Sequence, residues 1–194
     1  MSKFNKGFAA LSVASAMLVA GPAFAQDQGW YAGLHLGQAQ AKDACDGVSG
    51  PGISCDDKDT MFRILGGYQF NKNLAVELGY NDLGEVSASG AFSASIEATV
   101  WEAVAVGSWP FTPQFSAYGK LGLYRGETDF STNNPAFGSE SETNTDLTYG
   151  IGVRWDFTKN VGVRAEYQIY KDLGGGNIGE TDVNVISIGG IFRF

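Results

Sequence analysis

The stretch "LTYGIGVRWDF" (147–157) sets Leu147, Tyr149, Ile151, Val153, Trp155 and Phe157 on one parity and Thr148, Gly150, Gly152, Arg154 and Asp156 on the other. A period of two is the period of a strand with two unlike faces. The split recurs near the start of the chain, where Trp30, Ala32, Leu34 and Leu36 oppose Tyr31, Gly33, His35 and Gly37. It recurs again where Val161, Val163, Ala165, Tyr167 and Ile169 oppose Gly162, Arg164, Glu166 and Gln168. Eight such segments are expected, at roughly 29–39, 59–71, 74–82, 98–109, 114–125, 146–157, 160–170 and 184–194. Each is close to the ~9–11 residues of a tilted membrane-spanning strand. Beyond residue 25 no apolar run approaches the ~20 residues of a spanning helix. A chain of this pattern that crosses a bilayer must do so as a closed ring of strands.

The connections alternate in length. "NKN" (71–73), "PFTPQ" (110–114) and "TKN" (158–160) are tight turns, whereas 40–58, 83–97, 126–145 and 171–183 are expected as long polar loops. Antiparallel neighbours joined in this way put every short turn at one end and every long loop at the other. The expectation is an all-β, eight-stranded antiparallel up-and-down transmembrane barrel.

Alternation alone does not say which face is inside, because a soluble lipocalin-like barrel would bury the apolar face around a ligand. Three features favour an outward apolar face. Aromatic residues on that face gather at strand ends, as at Trp30, Tyr68, Phe70, Tyr80, Trp109, Phe115, Trp155 and Phe157, where interfacial girdles lie. The polar face is rich in glycine (Gly33, Gly37, Gly67, Gly79, Gly122, Gly150, Gly152, Gly162, Gly189), and an eight-stranded interior needs small neighbours for its long side chains. Charges on the polar face nearly cancel: Arg63, Lys120, Arg154, Arg164 and Arg193 against Glu77, Glu102, Asp156 and Glu166. An enclosed ion needs a partner. The segment 98–109 is the irregular one, because turning Glu102 inward also turns Val104 and Val106 inward unless a bulge changes the parity.

At the N-terminus, Lys3 and Lys6 precede the apolar run "FAALSVASAMLVA" and the triplet Ala23, Phe24, Ala25. This is the pattern of a secretory signal peptide, with cleavage expected between Ala25 and Gln26. Residues 1–25 are thus read as the leader and 26–194 as one barrel domain. Removing the leader takes away two lysines and no acid, so 13 basic and 21 acidic residues become 11 and 21, a net charge of −10. That balance argues against nucleic acid as a partner. Cys45 and Cys55 lie together in the first long loop of an exported chain and are expected to form a disulfide.

The C-terminal stretch Ser187, Gly189, Phe192 and Phe194 resembles the signal by which the outer-membrane barrel assembly machinery recognises its clients. With "GWYAGLHLG", "LGGYQFNKNLAVELGYNDLG", "YGKLGLY", "VGVRAEYQ" and the final "FRF", the mature chain resembles the OmpA-like transmembrane barrel family. The resemblance implies a lumen plugged by an ionic network, with Glu77 and Arg164 at its carboxylate and guanidinium positions and Lys120 and Arg154 at other charged positions. Arg154 departs from the family pattern, standing where an acid is expected, so the pairing stays open. The resemblance covers the barrel only, and the peptidoglycan-binding domain of larger relatives is not expected.

Little in the chain suggests chemistry. His35, the single histidine, falls on the luminal parity, where a polar filler is the plain reading; Ser116 or Ser187 would be its only candidate nucleophiles. "GGGNIG" (174–179) lacks the strand-to-helix context of a phosphate loop. No cofactor, metal or catalytic residue is expected. The long loops carry many acids, among them Asp43, Asp46, Asp56, Asp57, Glu85, Asp129, Glu140 and Glu142, and could share divalent cations with lipopolysaccharide. The expected function is a non-enzymatic outer-membrane barrel that supports the envelope and surface interactions, with a narrow channel as the alternative and a lipid A-modifying enzyme third. Its expected partners are membrane lipid, lipopolysaccharide and the assembly machinery. No external receptor can be named.

Overall fold

The computed structural model describes residues 28–42, 54–56, 58–89, 93–132, 140–175 and 179–194. Among these are nine strands: β1 (Gly29–Ala41), β2 (Ser54–Asp56), β3 (Lys58–Asn71), β4 (Leu74–Ser89), β5 (Ser93–Pro110), β6 (Phe115–Thr132), β7 (Glu140–Asp156), β8 (Val161–Gly175) and β9 (Gly179–Arg193). Eight of them form a closed antiparallel ring in the order β4-β3-β1-β9-β8-β7-β6-β5, with β5 returning to β4. The small β2 adds to the upper part of β4. The remaining seam pairs β1 with β9, from Tyr31 opposite Arg193 to Ala41 opposite Val183.

Each short turn is held by a side chain next to it in sequence. Asn71 Oδ1 accepts the amides of Asn73 (2.9 Å) and Leu74 (3.0 Å). Thr112 Oγ1 accepts those of Gln114 and Phe115, and Thr158 Oγ1 those of Asn160 and Val161. These are Asx- and ST-type turns, in which a short polar side chain takes the place of a backbone acceptor.

At the other end the expected long loops are largely strand. Residues 83–89 and 93–97, 126–132 and 140–145, and 171–175 and 179–183 extend the ladders well past the apolar band. These segments are mostly polar, with only scattered apolar positions such as Leu83, Leu173 and Val183, so alternation does not mark them, yet adjacent backbones still satisfy one another there. Two bulges interrupt the extensions: one between Asp82 and Glu85, the other between Tyr170 and Leu173. Gly84 (φ 79°) and Asp172 (φ 50°) take the left-handed conformation at these bulges. Residues 98–109 hold no bulge: the β5 register with both neighbours is continuous from Val100 to Val106, so Val104 and Val106 do face inward.

Leu34, Leu36, Ile64, Leu78, Leu121, Leu123, Ile151, Ile186 and Ile188 are all exposed on the outer surface. Below this band, toward the short turns, aromatic rings meet in a row: Trp30 with Tyr68, Tyr68 with Phe70, Phe115 with Trp155, Trp155 with Phe157, and Phe192 with Phe194, at centroid separations of 4.1–5.5 Å. Above it, Tyr80 and Trp101 pair at 5.0 Å. An exposed apolar belt between aromatic rims is a lipid-facing surface.

Candidate functional site

Among the described residues, charged groups converge in the buried interior of the ring. Arg63 rises from β3 at the level of His35 and Asn81. Its guanidinium donates to Asn81 Oδ1, Glu166 Oε1 and Gln168 Oε1, and to the Tyr170 hydroxyl at 3.2 Å. Lys120, from β6 on the opposite wall, reaches the same Glu166 oxygen at 2.6 Å and lies 3.7 Å from Glu102. Glu102 accepts hydrogen bonds from Gln168 (2.6 Å) and Tyr170 (2.8 Å), and its other oxygen is 3.6 Å from Arg63 Nε.

Toward the short-turn end follows a second pair. Arg164 Nη1 sits 2.5 Å from Glu77 Oε1, which also accepts the Tyr31 hydroxyl at 2.6 Å. The Arg164 guanidinium lies over the rings of both Tyr31 and Tyr118, 5.2 and 5.1 Å from their centroids. Glycines hold those rings in place: a Cβ at Gly67 would run into the Tyr31 ring, and one at Gly152 into that of Tyr118. Tyr118 also donates to Glu166 (2.9 Å), joining the two pairs. Arg63, Lys120 and Arg164 thus face Glu77, Glu102 and Glu166, three cations to three carboxylates.

The network lies between apolar layers. Above it Met61, Leu83, Val100, Tyr124, Tyr170, Leu173, Val183 and Val185 pack together with Ala39 and Ala41. On the β3 to β6 side below, Leu65, Ala75, Val104 and Val106 join Tyr31 and Tyr118. Hydrocarbon thus accompanies the polar and ionic side chains inside the ring, the inward Val104 and Val106 included. Inward valines on β5 and β9 adjoin outward apolar residues, which blurs the alternation that would have revealed them.

Of the remaining charged positions, Asp156 and Arg193 meet at the short-turn mouth, Arg193 Nη2 lying 2.8 Å from Asp156 Oδ1. Arg154 stands apart from the central network, with Nε 3.3 Å from Asp156 Oδ2. Asn81, Tyr118 and Tyr170 were not singled out by sequence, although each continues the inward parity of its strand. His35 is fully buried, its Nδ1 3.5 Å from Ser187 Oγ, and its Nε2 has no hydrogen-bond partner among the described residues. Among the described residues no carboxylate hydrogen-bonds to the ring, and His35 and Ser187 are both buried, so the pair lacks the accessible geometry of a nucleophile and base.

Gly189 packs beneath His35, where a Cβ would overlap the imidazole. Phe192 and Phe194 are exposed on the outer face, and the Phe194 amide donates to Trp30 O at 3.0 Å. Ala25, Gln26, Cys45 and the side chain of Cys55 lie outside the described residues. Among those described, no group of three His, Cys, Asp or Glu residues could hold a metal ion.

Comparison with known proteins agrees with this architecture. A family model described as the OmpA-like transmembrane domain matches residues 25–194. Outer membrane protein A of Klebsiella pneumoniae is 31% identical over 180 residues, an alignment covering 87% of this chain and 52% of the relative. The chain thus spans about half the length of the curated relatives it matches. Among solved structures, Neisserial surface protein A superposes with a TM-score of 0.65 at 18% identity, covering 87% of this chain and all of the other. OprG of Pseudomonas aeruginosa gives 0.57 at 16% identity, with 89% and 99% covered.

Proposed function

This chain belongs to the OmpA-like transmembrane domain family of outer-membrane β-barrels, and from that premise we propose that it acts without catalysis, as a plugged barrel supporting the envelope and its surface contacts. The observation that carries the reading is the filled interior. Arg63, Glu77, Glu102, Lys120, Arg164 and Glu166 are each less than 5% exposed, and apolar layers flank them. A conducting path would have to break buried ion pairs and part a hydrocarbon layer at once, and breaking a single buried pair costs about 3–5 kcal/mol.

On this reading the short turns and both mature termini face the periplasm and the long hairpins face outward. The outer surface meets lipid, and the hairpins meet lipopolysaccharide. Glu97 and Asp129 lie directly opposite each other on β5 and β6, both exposed. Like charges so placed repel, and a divalent cation shared with a lipid phosphate would relieve them. The C-terminal residues Ser187, Gly189, Phe192 and Phe194 are proposed to bind the barrel assembly machinery.

The test is single-channel recording in planar bilayers. Current at the bare-membrane level is expected; steady conductance would replace this reading with that of a narrow channel. Incubation with lipopolysaccharide, followed by mass spectrometry of the acyl chains, should leave them unaltered, and a changed acyl pattern would overturn the non-enzymatic assignment.

A further inference from the structure

The luminal charges balance in the central network and fail to balance at the short-turn mouth. There, among the described side chains, Arg154 and Arg193 share the carboxylate of Asp156. Arg193 turns its remaining donors toward Lys159 O, 3.5 Å away. Arg154 is held directly opposite Arg164 on β8, and Arg164 is already committed to Glu77. Opposed like charges are destabilising. Across the other seam Arg154 faces Ser116 of β6, which is 4% exposed. The Ser116 hydroxyl and Arg154 Nε are both buried without a hydrogen-bond partner among the described residues.

Gly162, opposite Asp156, leaves room for that carboxylate; a Cβ there would strike Asp156 Oδ1. The side chains of Arg154, Asp156 and Arg193 keep 12–21% of their surface open, so the mouth is reachable from solution while the network above it is shut.

We infer that Arg154, Arg193 and Ser116 form a binding site for a small oxyanion of the phosphate class at the short-turn mouth. The anion supplies the negative charge that the side chains lack, accepts from Arg154 Nε and the Ser116 hydroxyl, and offsets the repulsion between Arg154 and Arg164. A guanidinium fork suits a tetrahedral oxyanion.

The experiment uses the purified barrel in octyl glucoside, whose headgroup carries no phosphate. Loss of the compact, heat-modifiable gel form is followed against temperature in inorganic phosphate and in chloride of matched ionic strength. Phosphate should raise the midpoint by a few degrees, with saturation, because a ligand of the folded state stabilises it. Arg154→Gln should abolish the shift and raise the phosphate-free midpoint, since it removes the unbalanced charge. Ser116→Ala should weaken apparent affinity several-fold, and Arg125→Gln on the outer hairpin should change nothing. If Arg154→Gln does not fold, phosphorus NMR line broadening with the wild type and Ser116→Ala decides the matter.

Equal midpoints in phosphate and chloride, or a phosphate shift that survives Arg154→Gln, would overturn the site. Repeating the titration in a detergent with a phosphoglycerol headgroup identifies the source. Disappearance of the added-phosphate effect assigns the anion to lipid, and its persistence assigns it to a free solute.

Discussion

Gly66 and Gly67 are neighbours on β3 and live in different media. Gly66 points outward, and a methyl group added there would meet nothing within 4 Å. Gly67 points inward, where the same methyl group would collide with the Tyr31 ring that flanks Arg164. The contrast holds around the whole ring. The outer face is a broad apolar surface whose residues need only be compatible with lipid, so many substitutions suit it. The inner face is a closed set of partners in which each charge, hydroxyl and glycine depends on the next. Residence in the membrane is therefore specified loosely, by the character of one surface, and the shape of the barrel tightly, by the contents of the other.

The largest test of that contrast removes a charge from the centre. Glu166→Leu leaves Arg63 and Lys120 with Glu102 between them and should destabilise the folded barrel by about 3–5 kcal/mol in urea titrations followed by tryptophan fluorescence. Ile151→Val on the outer face should cost about 0.8 kcal/mol, the transfer of one methylene without a cavity. Similar losses for the two variants would end the distinction.

Gly67→Ala should cost about 1–3 kcal/mol through overpacking. Gly66→Ala should stay within about 0.5 kcal/mol of wild type. If the two alanine variants unfold alike, the tyrosine rings are not seated as described.

Phe194 tests the outer face alone. Phe194→Asp keeps the backbone bond to Trp30 and should change refolded stability by no more than about 1–2 kcal/mol, while sharply lowering the heat-modifiable protein recovered in outer-membrane fractions. Tyrosine or tryptophan should be mild. Normal assembly of the Asp variant in cells would remove the recognition role. Reducing the proposed Cys45–Cys55 disulfide should leave the heat-modifiable form intact, since Cys55 lies on the short added strand β2, outside the eight-stranded ring. Two thiols labelled in denatured, unreduced protein would rule the disulfide out.

The smallest effect concerns Lys171 and Asp182, paired at 2.7 Å on the solvent-accessible hairpin above the apolar band. The hydrogen bond from Lys171 holds the Asp182 carboxyl below its ordinary range, and the same bond raises the Lys171 ammonium above its own. The carboxylate's contribution is present above the ordinary aspartate range and lost as pH falls through its lowered value. The ammonium's is present below the ordinary lysine range and lost as pH rises through its raised value. Exchange of the Asp172 amide, which also donates to Asp182, should be flat between the ordinary aspartate and lysine ranges and, once corrected for intrinsic exchange, faster at acid pH below the ordinary aspartate range. An Asp182→Asn variant with an unchanged acid response would exclude the pair as the cause.

Much of this design is legible in the residues. The parity of "LTYGIGVRWDF" and the polar residues beside "NKN" and "TKN" predict strand, face and turn, because each is a local effect of backbone geometry. The partnerships inside are another matter. Arg63 meets Glu166 across 103 positions of sequence, a contact that depends on ring closure and register rather than on any nearby residue. The inward valines at 100, 104, 106, 183 and 185 resemble lipid-facing ones in composition, and only their register separates them. The hairpin extensions carry only scattered apolar residues, Leu83, Leu173 and Val183 among them, too few to betray their strands. Arg154 could be recognised in the sequence as out of place, but not as one of two cations sharing an acid.

The seam between β1 and β9 has a consequence in time. Each of the other seven seams joins ring strands that follow one another along the chain, whereas this one brings residue 31 to residue 193. Long-range pairing is the slow kind. Until it forms, β1 and β9 are both open edges, each able to template a strand from another chain. The Phe194 amide on Trp30 O and the Lys42 amide on Asp182 O bound that seam at its two ends, so the hazardous interval lasts until the ladder between them is complete.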